Sequence, residues 1–387
     1  MATAGTLAES SRRMRVLLIH NRYRSLGGEE RAVSDLAELL ERRGHTVERL
    51  ERSSRDVGRG RAARSLLTGG ADGDDVGVAV RRLRADVVHA HNVHPMFGWR
   101  ALAAARAAGA RTVLHLHNFR LFCSIAVAYR DGAPCHRCQG RNTLPGLRLR
   151  CRGSFTESAV YAAALHRQQP HLLDESDRFI TVSRAHGQRL AELGLPADKA
   201  VTLPNFIPDA QVAERSGAGE GQFALVAGRL VEEKGYDTAI AAARAAGVPL
   251  VIAGRGPDEP RLRELAAGAE VRFTGLLSPG ALADLRRQAA VVLVPSRCEE
   301  SGSYAALDAF AAGIPVLGST RGGVGELVGE AVALDPENAA AWRQALERLW
   351  ADPALRARLG AEVLELARER FGEERYYSGL MEVYGEA

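Results

Sequence analysis

Residues 291–328 read VVLVPSRCEESGSYAALDAFAAGIPVLGSTRGGVGELV. An apolar run of strand length breaks at Pro295 into polar residues. A stretch of helical character follows over 303–312, Gly313 ends it, and a second apolar run at 315–318 breaks into the glycine pair Gly322 and Gly323. Residues 227–235, AGRLVEEKG, repeat the form of an apolar strand end turning into charge and glycine. Open α/β sheets bind their ligands at such strand ends.

Working outward, further strand-like runs lie at 14–20, 46–50, 86–91, 111–117 and 178–183, with helical stretches such as 30–42 and 99–108 between them. The pattern restarts after SGAGEG at 216–221, read as a flexible stretch, with strands at 223–227, 250–253, 271–274, 291–295 and 315–318. Alternating strands and helices predict parallel sheets. The expected fold class is α/β, with two doubly wound Rossmann-like domains facing across a cleft. The expected division is a disordered tail over 1–13, an acceptor-side domain over 14–207 with a cysteine-rich insert at 119–153, a donor-side domain over 208–370, and a final helix over 371–387 that either stays with its own half or packs back on the first.

The length of 387 residues suits two domains, and 46% hydrophobic with 25% charged residues suits ordinary cores. A net charge of +4 is mild and does not single out nucleic acid; a diphosphate-bearing partner suffices. No apolar run approaches the roughly 20 residues that span a bilayer, and the first residues lack a signal-peptide core, so the chain reads as cytoplasmic. Residues 52–64 carry five arginines and read as a solvated face or mobile loop. The other reading is a basic patch contacting the inner membrane face or an acceptor.

Lysine occurs only at Lys199 and Lys234. Lys234 follows a strand end and precedes a helix, so it and Arg229 can reach one anion from a single loop. Glu300 lies on the second loop and Asp308 within the helix after it, and carboxylates there are acceptors for sugar and ribose hydroxyls. Alone, each of these charges also reads as a surface group or a helix-end charge.

Together these residues are similar to those of the retaining glycosyltransferases of family 4, which have the GT-B fold, and the resemblance covers nearly the whole chain. The family motif of Glu, seven residues, Glu, then A-x-A-x-G-x-P-V and G-G-x-x-E, is matched by Glu300, Asp308, AFAAGIPV and GGVGE, including Gly313, Pro315, Gly322, Gly323 and Glu326. The resemblance implies that Arg229 and Lys234 grip the donor diphosphate, Glu300 holds the transferred sugar and Asp308 binds the ribose. It places Ser303 and Tyr304 in the nucleotide site. The sequence departs from the motif at Asp308, one methylene short, and at Ser303, where the family has glycine.

In the first half, Gly27 and Gly28 match the family's glycine loop at the start of the first helix, and His117 its active-site histidine. His91, in HAHN, reads equally as a ligand contact or a core residue. Gly254 and Gly256 in GRGP lack the third glycine of a dinucleotide fingerprint and are read as close-approach positions beside the nucleotide base.

Cys123, Cys135, Cys138 and Cys151 follow one another with eleven, two and twelve residues between. They suit a structural zinc, with disulfides or free thiols as the alternatives. The function the resemblance implies is transfer of a sugar from a UDP- or GDP-linked donor to the hydroxyl of a glycan, glycolipid or small natural product, without a catalytic metal. The alternatives are a non-catalytic sugar-nucleotide binding protein and a sugar-nucleotide 2-epimerase. The oligomeric state is not legible.

Overall fold

The computed structural model describes residues 13–23, 27–329 and 333–385. The tail expected over 1–13 therefore lies, but for Arg13, outside the described residues. By contacts the chain divides into two compact units, one formed by residues to His115 with Pro170–Phe179 and the chain from Tyr377, the other by Leu116–Gln169 and Ile180–Tyr376.

Among the described residues there are two six-stranded parallel sheets. The first runs in the order Thr46–Ser53, Arg15–Arg22, Val87–Ala90, Arg111–Leu116, Arg178–Thr181, Ala200–Thr202. The second runs Val271–Gly275, Leu250–Ala253, Phe223–Ala227, Ala289–Val294, Val316–Ser319, Ala333–Leu334. In the second sheet chain order reverses between Phe223–Ala227 and Ala289–Val294, the doubly wound switch point at which α/β sheets bind ligands.

The second sheet is buried on both faces, so its strands read as unbroken apolar runs rather than alternating ones. Phe223, Leu225, Val292 and Val294 pack on one side with Leu307 and Phe310, while Ala224, Val226, Val291 and Leu293 pack on the other with Trp342. The helix Tyr304–Ala311 starts at Ser303, whose Oγ accepts from Ala306 N at 3.4 Å. It stops because Gly313 takes φ +67°, with Gly313 N donating to Phe310 O and Ile314 N to Ala309 O in a Schellman ending.

Of the two readings of 52–64 the structure fits the solvated face, with only 54–58 outside regular elements: Arg52 lies in the strand Thr46–Ser53 and pairs with Asp72 (2.7 Å) and Asp75 (2.6 Å), and the helix Arg59–Thr68 begins at Arg59. Arg55, Arg59, Arg61 and Arg64 are exposed. The stretch 216–221 is pinned rather than flexible. Ala218 is fully buried, and the buried Arg356 donates to the carbonyls of Ala218 and Gly219, both at 3.0 Å.

The last helix is Glu373–Tyr384. Within the first unit, Tyr377 Oη lies 2.8 Å from His45 Nε2 and Tyr384 Oη 2.7 Å from His89 Nδ1.

Candidate functional site

The site is built at the switch point of the second sheet. The strand Phe223–Ala227 leads through Gly228 and Arg229 to a 3-10 turn at Glu232–Lys234, and Gly235 (φ +65°) opens the helix Tyr236–Ala246. A side chain at Gly235 would meet Pro295 O at 2.1 Å, so only glycine lets this turn press against the end of the neighbouring strand. That contact brings Lys234 to the second loop, where its Nζ lies 2.9 Å from Glu300 Oε1.

Their side chains are 23% and 9% exposed. Burial alone would lower the Lys234 pKa, but the charge and hydrogen bond of Glu300 outweigh it and hold the ammonium above its usual value. Burial pushes the Cys298 thiol up to about 12 and also raises the Tyr236 phenol, so both stay neutral around the pair. Ser296 Oγ makes a short hydrogen bond to the same Glu300 oxygen. Arg229 is different: its side chain is 59% exposed, with Glu233 at 3.9 Å.

Each of the other predicted residues has its own surroundings. Asp308 forms an ion pair with Arg286 at 3.1 Å, their side chains 14% and 9% exposed. Ser303 has ordinary extended geometry (φ −113°), so nothing there requires the glycine of the family motif; its hydroxyl caps the helix that Tyr304 begins. Gly322 (φ +56°) and Gly323 pack on the Glu300 loop, Gly323 N donating to Glu300 O at 2.7 Å. Glu326 accepts from Ala185 N at 2.9 Å, at the start of the helix Arg184–Leu193.

Gly254 and Gly256 are close-approach positions to the chain itself: a Cβ there would meet Gly228 O at 1.9 Å and Leu230 O at 2.1 Å. They support the Arg229 turn from beneath. Gly27 precedes the helix Gly28–Arg42, and its N–H already donates to Glu30 Oε2 at 2.9 Å. That amide is thus engaged within its own turn, while Gly28 is the exposed first residue of the helix. His117, half-buried, directly follows the strand Arg111–Leu116.

Sequence reasoning missed Arg286, one arginine among many on a helix, and the environment of Glu299. Glu299 takes a bidentate contact from Arg189 (3.0 and 2.9 Å) and lies 3.1 Å from His136 Nε2. Burial would raise its pKa, but these two partners hold it down at about 2. The doubled glutamate was the available signal.

The four insert cysteines carry no disulfide and border one small cavity. In the first unit His89, His91 and His115 bring ring nitrogens within 4.8 Å of one another, all buried. His89 bonds Tyr384 and lies 3.2 Å from His115 Nδ1, and His91 stacks parallel on His89 at 4.7 Å, which fits the core reading of His91.

The sequence matches the family profile "Glycosyl transferases group 1" over 210–365 and "Glycosyltransferase Family 4" over 26–211. It is 30% identical over 325 residues to D-inositol 3-phosphate glycosyltransferase 1 of Catenulispora acidiphila, covering 78% of this chain and 72% of that one. It is 31% identical over 243 residues to the glycogen synthase of Mycobacterium tuberculosis, covering 59% of this chain and 58% of that one. Thus the match spans under two thirds of that relative.

Among solved structures, sucrose-phosphate synthase of Thermosynechococcus elongatus superposes with a TM-score of 0.72 at 18% identity, over 96% of this chain and 98% of that one. Anabaena HepE in complex with UDP-glucose superposes at 0.64 and 16%, over 97% of this chain and all of that one. At these identities the structures speak to fold.

Proposed function

The chain belongs to the group 1, family 4 glycosyltransferases with their α/β GT-B fold, and on that premise we propose that it moves a sugar from a nucleoside-diphosphate-sugar donor to an acceptor hydroxyl, with retention at the anomeric carbon. The observation that carries the reading is the Lys234–Glu300 pair, a partly buried cation and carboxylate held side by side at the sheet's switch point.

In this reading Lys234 and the exposed Arg229 grip the diphosphate. Lys234 stays protonated throughout the neutral range because Glu300 raises its pKa. A cation fixed before reaction stabilises the charge that grows on the departing diphosphate without reorganising, and the two cations serve in place of a catalytic metal. Glu300 accepts hydroxyls of the transferred sugar, Asp308, oriented by Arg286, the ribose hydroxyls, and His117 a further sugar hydroxyl. The helix beginning at Tyr304, capped by Ser303, starts from the same loop and adds the positive end of its dipole.

The bond from the anomeric carbon to the diphosphate oxygen breaks and the bond to the acceptor oxygen forms on the same face. The acceptor proton passes to the departing phosphate oxygen. The donor is UDP- or GDP-linked. UDP is the first candidate because the HepE structure holds UDP-glucose, and an acceptor rich in hydroxyls fits the names of the relatives.

A thermal-shift screen with UDP, GDP, ADP and their glucose conjugates tests this. A ligand present at 100 times its dissociation constant adds about 2.7 kcal/mol of stability. One nucleotide family should raise the melting temperature; if none does, the proposal fails.

A further inference from the structure

Residues 116–154, between the strand Arg111–Leu116 and the helix Phe155–Glu175, hold little regular structure. They contain one hairpin of two-residue strands, Tyr129–Arg130 against Ala133–Pro134, and a five-residue helix Leu144–Arg148. A hairpin of that size does not sustain itself in water, and small loop-rich segments are commonly stapled by a metal or by disulfides.

The backbone nevertheless collects four cysteines. Asp131 and Gly132, both at positive φ, close the hairpin tightly, and Cys135 N then donates to Ala128 O at 2.7 Å. Cys123 N donates to Phe119 O at 2.7 Å and Cys151 N to Gly146 O at 3.0 Å. All four cysteines border one cavity of about 20 Å³, lined also by Phe122 and Leu149. Four cysteines bordering one small void supply the number and kind of donors that a structural zinc takes.

The knuckle between Cys135 and Cys138 also carries His136, whose Nε2 lies 3.1 Å from Glu299, the residue before Glu300. We infer that Cys123, Cys135, Cys138 and Cys151 hold one structural zinc ion as a tetrathiolate, and that this clip positions His136 on Glu299 and so steadies the loop carrying Glu300. The zinc stands on the cysteines alone; the positioning of His136 rests on the donor-site reading above.

The full chain is purified from zinc-supplemented medium without chelator, its metal content measured, and a parallel cobalt(II) preparation examined by absorption. About one zinc per chain and thiolate-to-cobalt charge-transfer bands of a tetrahedral site are expected. The Cys135→Ser/Cys138→Ser variant should lose the metal; if it does not fold, the cobalt spectrum of the parent decides. Zinc below about a tenth of an equivalent overturns the site. So does a disulfide, seen as fewer than the chain's five thiols after denaturation, or zinc retained by the folded double variant.

His136→Ala should keep zinc and fold but raise the donor KM about tenfold, the loss of one polar contact of ordinary strength, with kcat little changed and recovery in His136→Gln. An unchanged KM overturns the positioning role and leaves the zinc count standing. Absence of any turnover by the parent counts against the donor-site reading instead.

Discussion

Lys234 Nζ and Glu300 Oε1 stand 2.9 Å apart although they sit 66 residues apart in sequence, because Gly235 lets the first loop press on the strand end at Pro295. The contact joins the two loops leaving the switch point, so on the proposed reading a diphosphate gripped by one loop would lie beside the sugar held by the other. This pair makes the two loops one site.

Arg229 separates binding from stability. Its side chain is mostly in water, so Arg229→Ala should change stability by no more than about 0.5 kcal/mol. It should weaken diphosphate binding by about 10- to 150-fold, the 1.5–3 kcal/mol typical of a hydrogen bond to a charged group. Calorimetric titration with UDP, paired with urea unfolding, checks both; an unchanged affinity removes Arg229 from the site.

Arg286 and Asp308 form a pair with little exposure. Arg286→Ala leaves a carboxylate without its cation in a poorly solvated place and should destabilise by about 3 kcal/mol, the lower end for breaking a buried pair. In a double-mutant cycle with Asp308→Ala the losses should be strongly non-additive. Additive losses would mean the pair is not a coupled unit.

Gly254 has φ +142°, and a Cβ there would lie 1.9 Å from Gly228 O, whereas Gly247, at φ +65°, has nothing within 4 Å. Gly254→Ala should therefore destabilise by more than the 1–3 kcal/mol of backbone strain alone and displace the Arg229 turn, reducing UDP affinity. Gly247→Ala carries strain only. Equal unfolding midpoints for the two variants would contradict this.

Stability should fall with pH in the mildly acidic range. His89 and His186 are buried, and burial lowers both to about 3, against about 6.5 in the unfolded chain. The unfolded state thus binds more protons below 6.5, so these groups cost nothing above that pH and destabilise progressively as pH falls toward 3. With two such groups the slope approaches about 2.7 kcal/mol per pH unit. Urea unfolding between pH 6.5 and 5, above the carboxylate range, should show it; a flat profile would contradict it.

The sequence reading located the second sheet well. Strands at 223–227 and 250–253 match exactly, because fully buried strands are continuous apolar runs bounded by polar residues. The helix capped by Ser303 and ended by Gly313 was equally legible, since caps are local signals. Partnerships were not: Arg286 with Asp308, Arg189 and His136 with Glu299, and Gly254 beneath Gly228 depend on which loops the sheet order brings together. Ala218 shows the converse error, since a glycine-rich stretch read as flexible is ordered by the distant Arg356.

The most direct test is turnover by Lys234→Ala with the donor selected by thermal shift held saturating, and with folding checked by circular dichroism. Loss of a preorganised donor to the leaving group typically costs on the order of 100- to 1000-fold in turnover, and that loss is the result the account predicts. A folded variant whose turnover stays within about threefold of the parent would contradict it, because so small a change leaves almost no transition-state stabilisation to assign to Lys234.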